Sequence, residues 1–449
     1  MAENLVHARV EAIRRLTRRK ATGPLERAVK KSSADDIAEA ITHLTRSETR
    51  FLMSRIGDDQ AGEVLLTVGE VDFVALIEAA PIDRILAWVA ELDPDDEADF
   101  IAQLPEELKE KVLAALEPEE REQAEELMAW PEDSAGGIMS PVAFLMQDDT
   151  TCRDAILAIQ EQGDVEMVFY LYVVNEQGQL VGVTSLRQLL LNSPSTELSE
   201  IMTPDVITVL PEEDQEEVAR IAGRYDLLAV PVCDDTNHFL GIVTIDDVLD
   251  VVREEAAEDL LKMAGVGQEY DPTGASTLRA SMQRLGWLVV TLVGGVLLSE
   301  VIGGFQKTLQ EHVMLAFFVP VIMALGGGVG IQAATITVRN LATGHVAVGA
   351  GSVQLIWREA RVGILMGVVL GAALSGYGWF RYQETAFALV VGSSILSTVL
   401  VAATLGTLIP LLLEKAGADP AVATGPFVTI LIDAVAIVLY MTLATLWML

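Results

Sequence analysis

The C-terminal part of the chain carries five long apolar stretches. They run over about Leu285–Phe305, Val313–Val338, Val362–Phe380, Ala386–Leu413 and Val422–Leu449. A helix needs roughly 20 mostly apolar residues to cross the bilayer core. Five consecutive stretches of this length are poorly explained as buried helices of a soluble protein. The pattern therefore predicts a membrane half with five transmembrane helices.

Upstream of these stretches the pattern changes to short amphipathic segments. From Ser32 to about Trp130 they have helical periodicity and are separated by acidic turns, such as residues 92–96, where aspartates flank a proline. Acidic residues and proline suit the first turn of a helix, because the helix dipole is positive there. The segment is therefore expected to be a stack of short helices.

Residues 138–255 contain an internal duplication. One copy begins at Met139-Ser-Pro and the other at Met202-Thr-Pro, and each reads strand, helix, strand, strand, helix. The segment resembles paired CBS domains along its whole length, with copies over 138–197 and 201–255. A long acidic helix begins at about Asp246 and leads toward the membrane half.

Charge separates the two halves of the chain. The net charge is −35, but residues 273–449 hold seven acids and eight bases, so nearly all the negative charge lies in residues 1–272. The basic segment 1–31 is the exception, and we interpret it as a solvated helix face or a weak contact with anionic lipid. So acidic a surface excludes nucleic acid as a partner.

The chemistry of soft metals is not expected. Cys152 and Cys233 form no CxxC or disulfide framework and suit a reducing cytoplasm, and the five histidines are scattered.

Lysine and arginine in the short loops predict the orientation of the spans. If residues 1–272 are cytoplasmic, the outer loops carry only Lys307 and Arg381. The inner loops then carry Arg279, Arg284, Arg339, Arg358, Arg361 and Lys415. This excess predicts a cytoplasmic N-terminus, and an odd number of spans places Leu449 outside.

Asp433 is the one acid well inside a predicted span. A charge at mid-membrane costs roughly 2.5–3.5 kcal/mol on insertion scales, so such residues usually face a cavity or a partner. The carboxylate could be hydrogen-bonded to Ser or Thr of a neighbouring helix, or kept protonated. Alternatively, two copies in a symmetric dimer face each other across a pore with a hydrated Mg²⁺ between them, since Mg²⁺ sheds its waters reluctantly.

Acids in the first 272 residues recur at helical spacing and form a candidate sensor. The candidate regulatory ligands are Asp95, Asp99, Glu216, Asp226, Asp247, Asp250, Glu254, Glu258 and Asp259. Each acid alone is most simply a solvated surface residue. Acidic surfaces that face each other, however, repel unless cations bridge them, so Mg²⁺ would stabilise a compact arrangement in proportion to its concentration.

Four short motifs resemble those of the MgtE family of magnesium transporters. They are Ala135-Gly-Gly-Ile-Met-Ser-Pro141, Asp214-Gln-Glu-Glu-Val-Ala-Arg220, Gly241-Ile-Val-Thr-Ile-Asp-Asp-Val-Leu-Asp250, and Gly425-Pro-Phe-Val-Thr429 with Asp433. The order of the predicted domains is also similar, so the resemblance covers essentially the whole chain. One segment departs from it: Gly328 stands where the family usually has Asn, and Ile331 replaces an often polar residue.

The resemblance implies a multidomain membrane protein. Its expected parts are an all-α superhelical N domain (32–131), α/β tandem CBS domains (138–255), a long connecting helix (246–272) and an all-α transmembrane domain of five helices (273–449). It also implies a homodimer in a bacterial inner membrane, with Asp433 as the pore ion site. In such proteins Mg²⁺ bridges acids of the compact cytoplasmic half, and the connecting helix closes the pore.

CBS pairs often hold adenosine ligands, so ATP is a second candidate ligand. Gly241, Thr244 and Asp247 fit the turn that holds ribose, Tyr170 could pack against adenine, and Arg187 could meet phosphate. An ordinary strand-to-helix turn explains the same residues equally well.

Other functions remain open. An anion channel would require a basic membrane site, and an intramembrane aspartyl hydrolase would require two carboxylates that share a proton. The chain offers one intramembrane acid per subunit, so neither is favoured and no enzyme activity is expected. A non-conducting Mg²⁺ sensor and a less selective transporter of Co²⁺, Mn²⁺ or Ca²⁺ are the remaining alternatives.

Overall fold

The computed structural model describes residues 2–161, 169–265, 277–342 and 350–449. Within these residues the chain forms two compact units, one built on residues up to 254 and the other on residues from 255 onward. Residues 266–272 of the predicted connecting helix, residues 273–276 of the predicted transmembrane domain and residues 162–168 of the first CBS copy lie outside the described residues.

The first unit begins with a stack of ten short helices. These are α1 (Ala2–Arg18), α2 (Thr22–Val29), α3 (Ala34–Thr42), α4 (Arg46–Met53), α5 (Asp58–Thr67), α6 (Glu70–Ile77), α7 (Ile82–Val89), α8 (Pro94–Ala102), α9 (Glu106–Leu113) and α10 (Pro118–Leu127). Their sequences set several boundaries: Ser33 caps α3 by accepting a hydrogen bond from the Asp36 backbone, and Pro94 and Pro118 open α8 and α10. Ile13 of α1, Leu25 of α2 and Phe100 of α8 belong to one buried core. The basic N-terminal segment is therefore packed against the helices that follow it.

The duplicated segment follows in the same unit. The first copy comprises β1 (Leu145–Gln147), α11 (Cys152–Glu161), β2 (Tyr170–Val174), β3 (Leu180–Ser185), α12 (Leu186–Leu191) and α13 (Leu198–Ile201). The second comprises α14 (Gln215–Tyr225), β4 (Ala229–Cys233), β5 (Phe239–Thr244) and α15 (Ile245–Met263). In the first copy β1 pairs parallel to β2 and β2 pairs antiparallel to β3; in the second, β4 pairs antiparallel to β5.

The opening strand predicted for the second copy is reduced to a single parallel bridge in the described residues. Val209 bridges Val232, the fourth residue of β4. The bridge still fixes the chain beside the sheet, because the Val209 and Cys233 amides both donate to backbone carbonyls across it.

The second unit carries the membrane helices. It contains α16 (Thr277–Gly303), α17 (Gln306–Glu311), α18 (Met314–Ala342), α19 (Ala350–Tyr382), α20 (Thr385–Lys415), a short 3₁₀ helix (Pro420–Thr424) and α21 (Pro426–Met448). Five stretches of the described residues are helical, long and apolar enough to cross a membrane: Arg284–Gly303, Met314–Ala342, Gly351–Tyr382, Thr385–Lys415 and Pro420–Met448. The prediction of five spans and of the overall fold class is confirmed.

Small residues allow the membrane helices to approach closely. A Cβ placed on Gly406 of α20 would lie 2.4 Å from the carbonyl oxygen of Gly330 on α18. Such contacts are typical of membrane helices, whose backbones approach where side chains are small. Leu292, Leu365 and Phe380, in contrast, expose apolar surface on the outside of the unit, as contact with lipid requires.

Candidate functional site

A cavity of about 430 Å³ in the first unit is surrounded by carboxylates. Seven of its twelve lining residues are acids: Asp95, Asp96, Asp99, Glu132, Asp247, Asp250 and Glu254. Neutral side chains complete the wall, and no lysine, arginine or histidine is among these described lining residues. We call this space the acidic cavity.

Two helices, α8 and α15, carry six of these seven acids. Asp95 and Asp96 lie in the first turn of α8, and Asp247 lies in the first turn of α15. The positive end of a helix dipole stabilises carboxylates there. Asp99 lies one turn beyond Asp95 and so shares its face of α8, and Asp250 and Glu254 extend the acidic side of α15.

Burial raises the pKa of these facing carboxyl groups. Burial and, after it, the charges of Asp95 and Asp247 together raise the pKa of Asp96 to about 7. The pKa of Asp99 is also raised to about 7, first by burial and then by its acidic neighbours. Burial raises the pKa of Asp247 to about 6 against the opposing effect of a hydrogen bond from Thr244. The anionic forms are therefore destabilised unless a cation lies near them.

The Asp95 carboxylate has a buried oxygen atom that a ligand could satisfy. Burial raises the pKa of its carboxyl group, and its Oδ1 atom is buried without a hydrogen-bond partner in the described residues. A buried acceptor without a partner costs about 1–3 kcal/mol, and more for a charged group. A proton or a hydrated cation in the cavity would satisfy it.

The acidic cavity fits a hydrated ion better than a directly coordinated one. The described residues contain no group of three or more His, Cys, Asp or Glu side chains arranged to hold a metal ion. Mg²⁺ keeps several of its waters when bound by carboxylates, and each water occupies about 30 Å³. The cavity has room for the ion with its first shell of water, and its oxygen-only acidic lining suits that ion.

The structure brings five of the nine predicted regulatory acids into this cavity: Asp95, Asp99, Asp247, Asp250 and Glu254. Glu216 and Asp226 are exposed at the two ends of α14, where Asp226 forms the C-cap in a left-handed conformation (φ 54°). Neither lines the acidic cavity, so a regulatory role for them stays a prediction.

Glu258 and Asp259 lie further along α15, in the second unit. Glu258 forms an ion pair with Lys262, whose Nζ atom is also 2.5 Å from Oδ2 of Asp419. Burial raises the pKa of Asp259, and the charge of Asp419 adds to that effect. These two acids therefore face a second set of charges near the membrane helices.

Two of the lining acids, Asp96 and Glu132, were not among the predicted regulatory ligands. Asp96 lies three residues before Asp99 on α8, so helical spacing could have included it. Glu132 lies after α10, outside any regular helix or strand. The run of aspartates around Pro94 was a further signal for Asp96, but it also serves as an ordinary helix start.

A smaller cleft of about 120 Å³ shares Asp95, Asp96 and Asp247 with the acidic cavity. Tyr170, Tyr172, Ser140 and Thr244 line it together with Asp247. A Cβ on Gly241 would lie 2.7 Å from the Ser140 carbonyl oxygen, so this residue must be small for the two segments to meet. Of the predicted ribose and adenine residues, Tyr170, Thr244 and Asp247 line the cleft and Gly241 does not.

Arg187 does not belong to this cleft. Its side chain is exposed at the start of α12, and it is not among the lining residues. The predicted phosphate contact therefore has no support from the geometry of the described residues.

Asp433 lies in α21 beside the glycine segment of α18. A Cβ placed on Gly327 would be 3.7 Å from Oδ1 of Asp433. This Oδ1 atom is buried and has no hydrogen-bond partner in the described residues. The alternative of a hydrogen bond from Ser or Thr of a neighbouring helix therefore finds no support at Oδ1.

A further acid is buried in a membrane helix. Glu359 of α19 is only 7% exposed, and it lies before the predicted span, which begins at Val362. The observed helix extends twelve residues further toward the N-terminus, from Ala350, and so includes it.

Comparisons with known proteins agree along the chain. Residues 319–443 match the family described as MgtE, divalent cation transporter, and residues 32–133 match the MgtE intracellular N domain. Residues 135–194 and 198–254 match the CBS domain.

Individual relatives extend this agreement to most of the chain. The magnesium transporter MgtE of Thermus thermophilus is 35% identical over 78% of this chain and 79% of its own length. That of Bacillus subtilis is 34% identical over 89% of this chain and 88% of its own length. Among solved structures, the cytosolic domain of the Mg²⁺ channel MgtE in complex with ATP is similar with a TM-score of 0.51 and 30% identity, and covers 54% of this chain and 99% of that domain.

Proposed function

The chain belongs to the MgtE family of magnesium transporters, and from that premise we propose that it is a Mg²⁺ channel closed by Mg²⁺ on its cytoplasmic side. The acidic cavity carries the proposal, because seven carboxylates line one space of about 430 Å³. Such an arrangement is unfavourable unless cations or protons occupy it. It is a multi-pass membrane protein of a transporter family, and we infer that it is not an enzyme.

The proposed transport path passes Asp433. In a homodimer, two such residues from two subunits would face each other and hold a hydrated Mg²⁺ loosely enough to release it. The support in this chain is the unpartnered Oδ1 atom next to Gly327. A lipid-facing carboxylate would be far more costly than one facing a water-filled path.

The proposed sensor is the acidic cavity. High internal Mg²⁺ would fill it and select the compact form of the first unit, whereas carboxylate repulsion would open that form when Mg²⁺ falls. We place Asp95, Asp99, Asp247, Asp250 and Glu254 in this role. Asp96 and Glu132 line the same space and join them.

ATP is proposed as a ligand of the smaller cleft. The solved cytosolic domain that this chain resembles is in complex with ATP. Tyr170, Thr244 and Asp247 line the cleft and could hold an aromatic base and a ribose. An orientation with the N-terminus in the cytoplasm and Leu449 outside completes the proposal, on the loop charges given above.

Recording Mg²⁺ current from inside-out membrane patches would test this function, because the bath solution then sets the Mg²⁺ concentration at the cytoplasmic face of the membrane. We expect Mg²⁺ current without internal Mg²⁺ and loss of that current as internal Mg²⁺ rises. Asp433→Asn should abolish the current, whereas Glu311→Gln, at an exposed acid at the end of α17, should preserve it.

Three other outcomes would redirect the proposal. If the unaltered protein carries no current with Mg²⁺ outside and none inside, transport is refuted and a non-conducting Mg²⁺ sensor replaces it. Current that ignores internal Mg²⁺ would refute the feedback alone. Equal currents with Co²⁺, Mn²⁺ or Ca²⁺ would favour a less selective divalent-cation transporter.

A further inference from the structure

Lys262 lies near the end of α15 and contacts two carboxylates from different parts of the second unit. Its Nζ atom is 2.5 Å from Oδ2 of Asp419 and pairs with Glu258 one helical turn earlier. The Lys262 side chain is 17% exposed, so these contacts are largely shielded from water. Burial lowers the pKa of the ammonium, but the two carboxylates outweigh this and raise it above its ordinary value.

Asp419 is held firmly on the other side of this contact. It forms the N-cap of the 3₁₀ helix Pro420–Thr424, and its Oδ1 accepts a hydrogen bond from the Ala421 backbone at 2.7 Å. That 3₁₀ helix passes through Gly425 directly into α21. An ammonium that binds Asp419 therefore ties the end of α15 to the start of the helix that carries Asp433.

A second contact lies just beyond the ion pair. Gly265 adopts a left-handed conformation (φ +69°), and a Cβ there would lie 3.1 Å from Cδ of Pro426. Pro426 is the first residue of α21, and Asp433 follows it by about two helical turns, or about 10 Å along the axis. The chain leaving α15 thus packs against the first turn of the proposed pore helix.

The acids around Lys262 would repel one another without its ammonium. Glu258, Asp259 and Asp419 are all acids, and the charge of Asp419 already acts on Asp259. Like charges at short range repel, and partly buried ones are screened little by salt. Removing the ammonium would therefore drive the end of α15 away from the start of α21.

We propose that Lys262 is a positioning residue for gating: its ammonium neutralises Glu258 and Asp419 and so holds the end of the connecting helix against the entrance of α21 in the closed channel. This inference rests on the proposed function. In the same structure the carboxylates of the acidic cavity lie around one space. The proposed function assigns this compact arrangement to the closed channel. The charge of the Lys262 ammonium does not depend on the Mg²⁺ concentration. The contact would therefore stabilise the closed channel by a fixed amount and so set the Mg²⁺ concentration at which the sensor closes the pore.

Inside-out patch recordings of the full chain test the inference. We expect Lys262→Met to raise the internal Mg²⁺ that halves the current by about tenfold, within the range of coupling between distant sites. The maximal current without internal Mg²⁺ should be unchanged. Lys415→Met is the matched control, since Lys415 is exposed at the end of α20 with no ion pair to another described residue.

Exchange of the charges separates positioning from simple packing. We call the internal Mg²⁺ concentration that halves the current the half-closing Mg²⁺. Each of the single changes Lys262→Glu and Asp419→Lys should raise it, whereas the two together should return it toward the value of the unaltered protein. If Lys262→Met carries no current, Asp419→Asn removes the same contact and takes its place.

An unchanged or lowered half-closing Mg²⁺ in Lys262→Met would overturn the inference, as would an exchange that restores nothing. A lowered value would mean that the lysine only blocks a cation site. Failure of the proposed function looks different, because the unaltered protein would then carry no current or would not close.

Discussion

Thr244 donates a hydrogen bond to the carboxylate of Asp247, three residues further on, where β5 passes into α15. Asp247 lines both the acidic cavity and the smaller cleft beside Tyr170. One carboxylate cannot serve a cation on one side and a ribose hydroxyl on the other with full strength. A cation in the acidic cavity and a nucleotide in the smaller cleft would therefore compete for Asp247 and lower each other's affinity.

Asp247→Asn should disturb both ligands at once. Loss of one carboxylate from the acidic cavity should raise the half-closing Mg²⁺ several-fold, and any shift of that value by ATP should disappear. Patch recordings with and without ATP would measure both effects. Asp235→Asn, at an exposed turn between β4 and β5, is the control. An ATP effect of full size in Asp247→Asn would contradict the coupling.

The acidic cavity should also respond to pH when Mg²⁺ is absent. The pKa of Asp96 and of Asp99 is raised to about 7 from an ordinary 3.8. A carboxyl group with a raised pKa favours the compact form below its ordinary pKa, and this contribution is lost as pH rises to about 7. Without Mg²⁺, the intact protein in detergent should therefore resist proteolysis better at pH 6 than at pH 8.

One added condition and one double variant make this pH test specific. Saturating Mg²⁺ should remove most of the difference, because the cation replaces the protons. Asp96→Asn combined with Asp99→Asn should flatten the pH dependence in Mg²⁺-free buffer. A pH profile that is identical in the double variant would locate the titrating groups elsewhere.

Parts of the fold follow directly from the pattern of residues. An apolar stretch of about 20 residues satisfies its backbone hydrogen bonds in a bilayer by forming a helix, so the five spans were predictable. The duplication in turn predicted two similar α/β copies. The opening strand of the second copy was not predictable as a single bridge at Val209, since bridge formation depends on how the neighbouring loop approaches β4.

The acidic cavity was predictable only where its residues share a helix face. Asp95 with Asp99, and Asp247 with Asp250, lie three or four residues apart. Glu132 has no such period, and its place depends on the packing of α8 and α15 around the segment after α10. Lys262 was missed for a related reason: its local partner Glu258 suggests a surface pair, whereas Asp419 reaches it only through the tertiary fold.

Gly328 gives a direct test of the departure from the family pattern. A Cβ there meets no atom within 4 Å, whereas one on the neighbouring Gly327 would be 3.7 Å from Asp433. Gly328→Asn should therefore fold normally and add an amide near the proposed ion path. One added hydrogen bond to the water shell is worth about 0.5–1.5 kcal/mol, so Mg²⁺ over Ca²⁺ selectivity should rise about two- to tenfold.

Reversal potentials in mixed Mg²⁺ and Ca²⁺ solutions would measure that selectivity. Gly303→Asn, at an open position at the end of α16, provides the control for a general effect of the new amide. Selectivity that is the same in Gly328→Asn and the unaltered protein would mean that this face of α18 lies away from the ion path.

The contact between α18 and α20 should make Gly406 intolerant of even one methyl group. A Cβ on Gly406 would lie 2.4 Å from the Gly330 carbonyl oxygen, which is backbone and cannot swing aside. Overpacking of this kind costs about 1–3 kcal/mol, so Gly406→Ala should lower the apparent melting temperature of the detergent-solubilised protein. Gly376→Ala, where a Cβ meets nothing within 4 Å, should leave it unchanged or raise it slightly, since alanine favours a helix over glycine. Equal melting temperatures for the two variants would show that the two helices separate at little cost and that their close approach does not hold the membrane unit together.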